Sequence, residues 1–130
     1  QEELTAHDHE EAHKPALSDQ NWLADFVKYI GKNFSDDTFS ITKTSAHFAM
    51  SESTLLKKVK TLTGLSPVEY LREYRLNMGK ELLEKGEKQT IAEVAFAVGF
   101  SNAKAFSQSF KVRFGKLPSA YILKPRKGNK

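Results

Sequence analysis

Residues 50–70 read MSESTLLKKVKTLTGLSPVEY, and residues 100–121 read FSNAKAFSQSFKVRFGKLPSAY. Both stretches have serine as their second residue, apolar residues at helical spacing, and the ending Gly-x-x-Pro-x-x-Tyr. Serine favours the start of a helix and glycine its end, so each stretch predicts one capped helix followed by a turn. The copies match at an offset of 50 residues that becomes 51 after one inserted residue. Such an internal repeat indicates two copies of one structural unit.

A short apolar-periodic stretch precedes each copy, over residues 41–48 and 91–98. Tight turns at Ala49–Met50 and Gly99–Phe100 separate these stretches from the capped helices. Two helices joined by such a turn form the helix-turn-helix unit. We therefore expect an all-α fold of about seven helices, in which two helix-turn-helix lobes are joined by a connecting helix.

The expected organisation is a flexible acidic linker (1–18), a double helix-turn-helix domain (19–123) and a basic tail (124–130). Within the domain we expect a first lobe at about 19–66, a connector helix at 67–84 and a second lobe at 87–123. Ser18 or Asp19 is the expected cap of the first helix. Ser66, Pro67 and Glu69 predict the start of the connector, because serine caps, proline suits the first helical position and glutamate completes a capping box.

The charge is divided unevenly along the 130 residues. The formal net charge is +4, but residues 1–20 carry −5 and residues 21–130 carry +9. A body with this excess is a candidate for binding polyanions. The chain has no cysteine, which excludes disulfides and thiol chemistry. No apolar run is long enough to span a membrane, so we expect no membrane contact by this segment. The expected location of this domain is cytoplasmic, and an anchor upstream in the full-length protein is compatible with that.

No pattern in the chain indicates catalysis or a cofactor. We find no Ser/His/Asp arrangement, no glycine-rich phosphate loop and no helical H-E-x-x-H, so the protein is predicted not to be an enzyme and to need no cofactor. His7, His9 and His13 form H-x-H-x3-H beside acidic residues. In an acidic linker this motif is better explained as solvated sequence than as a metal site, and no metal ligand is assigned.

In a helix-turn-helix unit the first helix braces against the DNA backbone and the second enters the major groove. The helices at 51–63 and 101–114 are therefore the expected reading helices, which contact two successive major grooves of double-stranded DNA. A connector of 18 residues spans about 27 Å, slightly less than the roughly 34 Å between successive grooves, so we expect a modest bend of the DNA toward the protein. Since the copies differ in sequence, the expected site is non-palindromic.

The two expected reading helices and the connector between them supply the candidate DNA ligands. The candidates for base contact are Ser53, Thr54, Leu56, Lys57, Asn102, Ala103, Lys104 and Gln108. The candidates for phosphate contact are Ser51, Lys58, Lys60, Arg72, Arg75, Ser101, Lys111 and Arg113. Arg75 has an alternative role as a structural residue of the connector. The alternative function is a basic helical interaction module that binds RNA or an acidic protein partner.

The second copy, FSNAKAFSQSFKVRFGKLPSAY, resembles the signature of AraC-type (AraC/XylS) transcription regulators. IAEVA at residues 91–95, LLKKVK at 55–60 and TGLSP at 63–67 resemble other parts of the same domain, and the likeness covers roughly residues 19–123. The resemblance implies a two-lobed, seven-helix DNA-binding domain. It also implies an upstream sensing domain in the same polypeptide and RNA polymerase as a further partner. The wording of the first copy is similar to the domains that end hybrid two-component sensor-regulators.

Several positions depart from the family's pattern. Thr44 and Ser45 replace an apolar residue and an alanine, and Ala49 replaces the common turn glycine. If the turn needs a left-handed residue, Ala49 costs up to about 1 kcal/mol. Lys57 and Gln108 replace residues that are often arginine in the family. Because glutamine favours adenine whereas arginine favours guanine, the family's base preference does not carry over to this chain.

Overall fold

The computed structural model describes residues 17–86 and 90–122. They form six α-helices followed by one 3-10 helix, and this part of the chain contains no strand. The elements are α1 (Leu17–Asn33), α2 (Ile41–His47), α3 (Glu52–Thr63), α4 (Pro67–Lys85), α5 (Ile91–Ala97), α6 (Ala103–Phe114) and the 3-10 helix (Pro118–Tyr121). The prediction of an all-α fold with about seven helices is confirmed.

The first helix begins earlier than the sequence suggested. Helix α1 starts at Leu17, so Ser18 and Asp19 lie in its first turn and neither is its cap. The predicted linker therefore ends inside the helix by two residues. The rest of the linker, with the three-histidine motif, and the tail at 124–130 lie outside the described residues.

The first lobe packs α1, α2 and α3 against the start of α4. Its centre consists of Phe26, Ile30, Leu55 and Val59, all fully buried. Trp22 stacks on Phe26 with ring centroids 5.4 Å apart and closes one side of this core. These residues recur at helical spacing on α1 and α3, which is why one apolar stripe of each helix faces the other.

The second lobe packs α5, α6 and the 3-10 helix against the second half of α4. Val94, Phe106 and Phe110 are fully buried, and Leu83 of α4 is 2% exposed. Phe110 also meets Tyr121 edge-on at 5.2 Å, which holds the 3-10 helix on α6. Helix α4 thus contributes to both cores, and it is the element that joins the lobes.

The capping box predicted at the start of the connector is present, and the structure contains a second one at the start of α5. The backbone N–H of Glu69 donates to Ser66 Oγ, and the backbone N–H of Ser66 donates to the Glu69 carboxylate at 2.9 Å. The second of these hydrogen bonds lowers the pKa of Glu69. Thr90 and Glu93 make the same reciprocal pair at the start of α5. These caps fix where the connector and the second lobe begin.

The two helix-turn-helix turns have the same backbone conformation. Ala49 has φ 56° and Gly99 has φ 96°, both in the left-handed region. The N–H of Met50 donates to the Ser45 carbonyl at 3.0 Å, and the N–H of Phe100 donates to the Ala95 carbonyl at 2.9 Å. The turns are therefore structural equivalents at the predicted offset of 50. The turn thus needs a left-handed residue at Ala49, a conformation whose general cost of about 1 to 2 kcal/mol for an L residue is somewhat higher than the sequence analysis allowed.

Candidate nucleic-acid interface

Helix α3, the first reading helix, is anchored by Leu55 and Val59 and presents its other faces to solvent. Ser51 caps it, because its Oγ accepts a hydrogen bond from the backbone N–H of Thr54 at 3.1 Å. The four side chains predicted for base contact on this helix are all exposed: Ser53, Thr54, Leu56 and Lys57. The structure therefore leaves these side chains accessible to a ligand on the solvent side of α3.

Helix α6, the second reading helix, begins at Ala103, two residues later than predicted. Its cap is Asn102, whose Oδ1 accepts a hydrogen bond from the backbone N–H of Ala105 at 2.7 Å. The prediction that Ser101 caps this helix is wrong. The one inserted residue lies between the turn at Gly99 and the cap, so Asn102, and not Ser101, is the equivalent of Ser51.

This change affects the candidate ligands at the start of α6. The side-chain oxygen of Asn102 is engaged in the cap, whereas Ser101 is exposed outside the helix. Ala103 is half-buried, and Lys104 and Gln108 are exposed one turn apart. Lys104 and Gln108 are therefore the two candidates for base contact on α6 whose side chains are exposed and make no hydrogen bond to another described residue.

Four lysines supply unpaired positive charge on the reading helices. Lys57 and Lys60 lie on α3, and Lys104 and Lys111 lie on α6; all four are exposed. None of them forms an ion pair with another residue of the described part of the chain. Arg72, on the connector, is also exposed. Unpaired cations on both reading helices can neutralise the phosphates of a polyanionic backbone.

Two other candidate phosphate ligands are held by acidic partners. Lys58 Nζ lies 3.0 Å from an Asp19 carboxylate oxygen and 5.2 Å from the centre of the Trp22 ring, which joins α3 to α1. Arg113 Nε lies 2.7 Å from a Glu73 carboxylate oxygen, which joins α6 to the connector. In each case the neighbouring carboxylate offsets part of the positive charge, so both side chains attract a phosphate less strongly than an unpaired cation does.

The contacts of Arg75 match its alternative role, that of a structural residue of the connector. Its Nε donates to the backbone carbonyl of Phe34 at 2.8 Å, and its Nη2 donates to that of Asp36 at 3.0 Å. The guanidinium is half-buried against the segment between α1 and α2. These contacts favour the alternative role of Arg75 as a structural residue of the connector over phosphate contact, because two of its donors bind backbone carbonyls.

Two exposed residues on α3 were missed by the sequence analysis. Thr61 lies one turn after Lys57 and lines a shallow cleft with Lys57 and Thr54. Its i, i+4 spacing from Lys57 is enough to place it on the same face of the helix from the sequence alone. Glu52 lies in the first turn, where its Oε2 accepts a hydrogen bond from Thr42 Oγ1 at 2.7 Å. The equivalent residue of α6 is Ala103, so only the first reading helix has a carboxylate at this position.

A cleft of about 450 Å³ lies between α4 and α6. Gln108 and Arg72 line it together with Val112, whose side chain is 88% exposed. The carboxylates of Glu69 and Glu73 also border the cleft, but the first is held in the capping box and the second by Arg113. The cleft therefore presents glutamine, arginine and apolar surface beside the second reading helix.

The described residues contain no group of three or more histidine or carboxylate side chains that could hold a metal ion. None of the described helices is long and apolar enough to cross a lipid bilayer.

Comparison with known proteins agrees with this geometry. A family model described as a helix-turn-helix domain matches residues 44–124. Histidine kinase P4 of Formosa agariphila is 32% identical over 103 residues, which is 79% of this chain and 7% of the kinase. The chain spans between 25% and 33% of the length of several further curated regulators that it matches.

Several solved structures share the fold at 25% identity or more, among them the following two. A transcriptional regulator of Chromobacterium violaceum, described as containing an AraC-type DNA-binding domain, superposes with a TM-score of 0.72 at 25% identity, over 82% of this chain and 93% of the other. The DNA-binding domain of the global transcriptional factor AdpA, solved with a target DNA, gives 0.71 at 28% identity, over 76% and 87%.

A repeated helix-turn-helix on a shared connector, with two exposed basic reading helices, defines a double helix-turn-helix DNA-binding domain. The chain belongs to the AraC-type family of transcription regulators, as the family match and the solved relatives agree.

Proposed function

We propose that this domain binds a non-palindromic site on double-stranded DNA and reads two successive major grooves, one with α3 and one with α6. The observation that carries the proposal is the equivalence of the two units. Each reading helix follows a left-handed turn, is capped by a polar side chain and presents unpaired lysines to solvent. Because the exposed residues differ between α3 and α6, the two half-sites differ in sequence.

The connector supports a bent complex. Helix α4 has 19 residues, which corresponds to a length of about 28 Å, whereas successive major grooves on one face of DNA lie about 34 Å apart. Because both reading helices are fixed to this single helix, a modest bend of the DNA toward the protein brings both grooves within reach. Phase-sensitive gel mobility of the bound duplex measures the bend, and unbent DNA contradicts this part of the proposal.

Selection from a randomised duplex library tests the proposal directly. We expect a consensus with two unequal half-sites whose centres are about one helical turn, or 10 to 10.5 base pairs, apart. Lys28→Ala, an exposed lysine on α1 away from both reading helices, is the matched control and keeps the same consensus. A library that returns no consensus favours the alternative function, a basic helical module for RNA or an acidic protein.

Four further assignments stay proposals. The likeness to a small part of a histidine kinase supports an upstream sensing domain that controls this effector. RNA polymerase as a partner of the longer protein is expected from the resemblance, and the absence of catalytic activity and the cytoplasmic location are proposed for this domain alone. A reporter driven by the selected site, compared between the full polypeptide with and without its signal, tests the control by an upstream domain.

A further inference from the structure

Residues from both lobes meet at the side chain of Arg75. Its guanidinium binds the carbonyls of Phe34 and Asp36, which lie just after α1 in the first lobe. Gly99, the turn residue before the second reading helix, lies against the two atoms of the first of these hydrogen bonds, Arg75 Nε and the Phe34 carbonyl oxygen. A Cβ added to Gly99 would collide with the Phe34 carbonyl oxygen and stand 2.7 Å from Arg75 Nε. We call Arg75, Phe34 and Gly99 the inter-lobe clasp.

The Phe34 side chain strengthens the same junction. It packs against the core of the first lobe and also against the core of the second. Its ring lies 5.0 Å from that of Tyr74, the neighbour of Arg75 on the connector. The segment after α1 is therefore held by its backbone and its side chain at the point where the two lobes touch.

The equivalent turn in the first lobe shows that this packing is specific to the second. Ala49 has the same left-handed conformation as Gly99, yet Ala49 is exposed whereas Gly99 is buried. The methyl group of Ala49 is accommodated because this turn is exposed to solvent. At Gly99 it is excluded by the clasp. The glycine of the second turn is thus required by close approach as well as by its φ angle.

We propose that the inter-lobe clasp fixes the separation and angle of the two reading helices, so that Arg75 acts as a positioning residue that selects the spacing between the two half-sites. The inference rests on the proposed two-groove function. Two binding units held rigidly at a matched separation gain affinity from a high effective concentration, and lose it when the link between them becomes loose. Each lobe keeps its own core, so binding to a single half-site does not depend on the clasp.

Arg75→Met removes both hydrogen bonds and keeps much of the side-chain volume, and Arg75→Lys is the milder variant should the first unfold. With the selected site, we expect the affinity of either variant for the optimal spacing to fall about ten-fold. Affinity for a duplex with only one half-site stays within about two-fold of wild type, because each reading helix is intact. The preference for the optimal spacing over spacings longer or shorter by a base pair disappears.

Val94→Ala is the control for a purely structural effect. Val94 is fully buried in the second core and makes neither of the hydrogen bonds of Arg75, so this variant lowers stability but keeps the spacing preference at temperatures where it is folded. An equal loss of preference in Val94→Ala overturns the inference, as does an unchanged preference in a folded Arg75 variant. If wild type itself shows no spacing preference, the two-groove function fails and the inference fails with it.

A measurement without DNA distinguishes a failure of the clasp from a failure of the two-groove function. Ala46 on α2 and Phe96 on α5 are exposed and occupy equivalent positions in the two units. Because the chain has no cysteine, Ala46→Cys and Phe96→Cys provide two specific attachment sites for spin labels. We expect one narrow distance distribution in wild type and a clearly broader one in Arg75→Met. Distance distributions of equal width in the two proteins contradict the proposed role of the clasp but do not contradict the proposed function.

Discussion

The Nε atom of Arg113, on the second reading helix, lies 2.7 Å from one carboxylate oxygen of Glu73 and 2.9 Å from the other. Glu73 belongs to the connector, and its carboxylate also accepts a hydrogen bond from Asn77 at 2.9 Å. The hydrogen bond from Arg113 is the main cause of a lowered pKa of Glu73, and the one from Asn77 adds to it. The pair therefore ties the end of α6 to α4 as long as Glu73 is ionised.

Stability should follow the ionisation of Glu73. Because its pKa is lowered in the folded chain, its stabilising effect is complete above the ordinary value of 4.5 and is lost as the pH falls through the folded value. Glu73→Gln should lower the melting temperature slightly at about pH 7, and this deficit should be smaller at about pH 3. Glu81→Gln, an exposed glutamate on the same helix, is the control. An equal deficit at both pH values contradicts the assignment.

Gln108 and Lys111 are exposed neighbours on α6 with different expected roles. Gln108→Ala should relax the preference at one base pair, with a loss of about 1 to 3 kcal/mol on the preferred sequence. Lys111→Ala should weaken all sequences alike and reduce the salt dependence by about one phosphate contact. Titrations of the selected and the scrambled duplex at several salt concentrations measure both effects. If Gln108→Ala loses affinity for both duplexes equally, Gln108 contacts phosphate and not a base.

The features predicted well from the sequence are those that depend on near neighbours in the chain. A capping box joins residues three positions apart, as in Ser66 and Glu69, and a left-handed turn is set by one residue, as at Ala49. Apolar spacing of three and four residues likewise placed Phe106 and Phe110 in the core. Each of these signals is contained within a short stretch of sequence.

The partners of the cations could not be found in this way. Lys58 meets Asp19 from 39 positions away, and Arg113 meets Glu73 from 40 positions away. Which basic residue is paired depends on how the helices pack, and neither the charge count nor the spacing contains that information. The cap of α6 was missed for a different reason: Ser101 and Asn102 are both good caps, and the position of the inserted residue in the turn chose between them.

Ala49→Gly should stabilise the first lobe. Ala49 holds φ 56°, a conformation that costs an ordinary residue about 1 to 2 kcal/mol, and part of the gain is offset by the greater freedom of glycine in the unfolded chain. The expected net gain is about 0.5 to 1 kcal/mol in the free energy of unfolding, measured by urea denaturation. Ala46→Gly, three residues earlier within helix α2, should instead destabilise. A loss in both variants contradicts the strain at the turn.

Gly79 should resist replacement although it lies inside a helix. A Cβ at this position would stand 2.7 and 2.8 Å from two ring carbons of Phe106, whose ring is fully buried between those of Phe100 and Phe110. Alanine gains about 1 kcal/mol in helix propensity, but overpacking a buried ring costs about 1 to 3 kcal/mol.

Gly79→Ala should therefore lower the free energy of unfolding by about 1 kcal/mol, as measured by the urea midpoint at constant slope. Adding Phe106→Leu tests the cause, because the smaller side chain makes room for the methyl group. The double variant should be more stable than the sum of the two single effects predicts, since the residues are in contact. Strict additivity, or a Gly79→Ala variant more stable than wild type, would show that Phe106 yields to the added carbon and that the connector does not need its glycine.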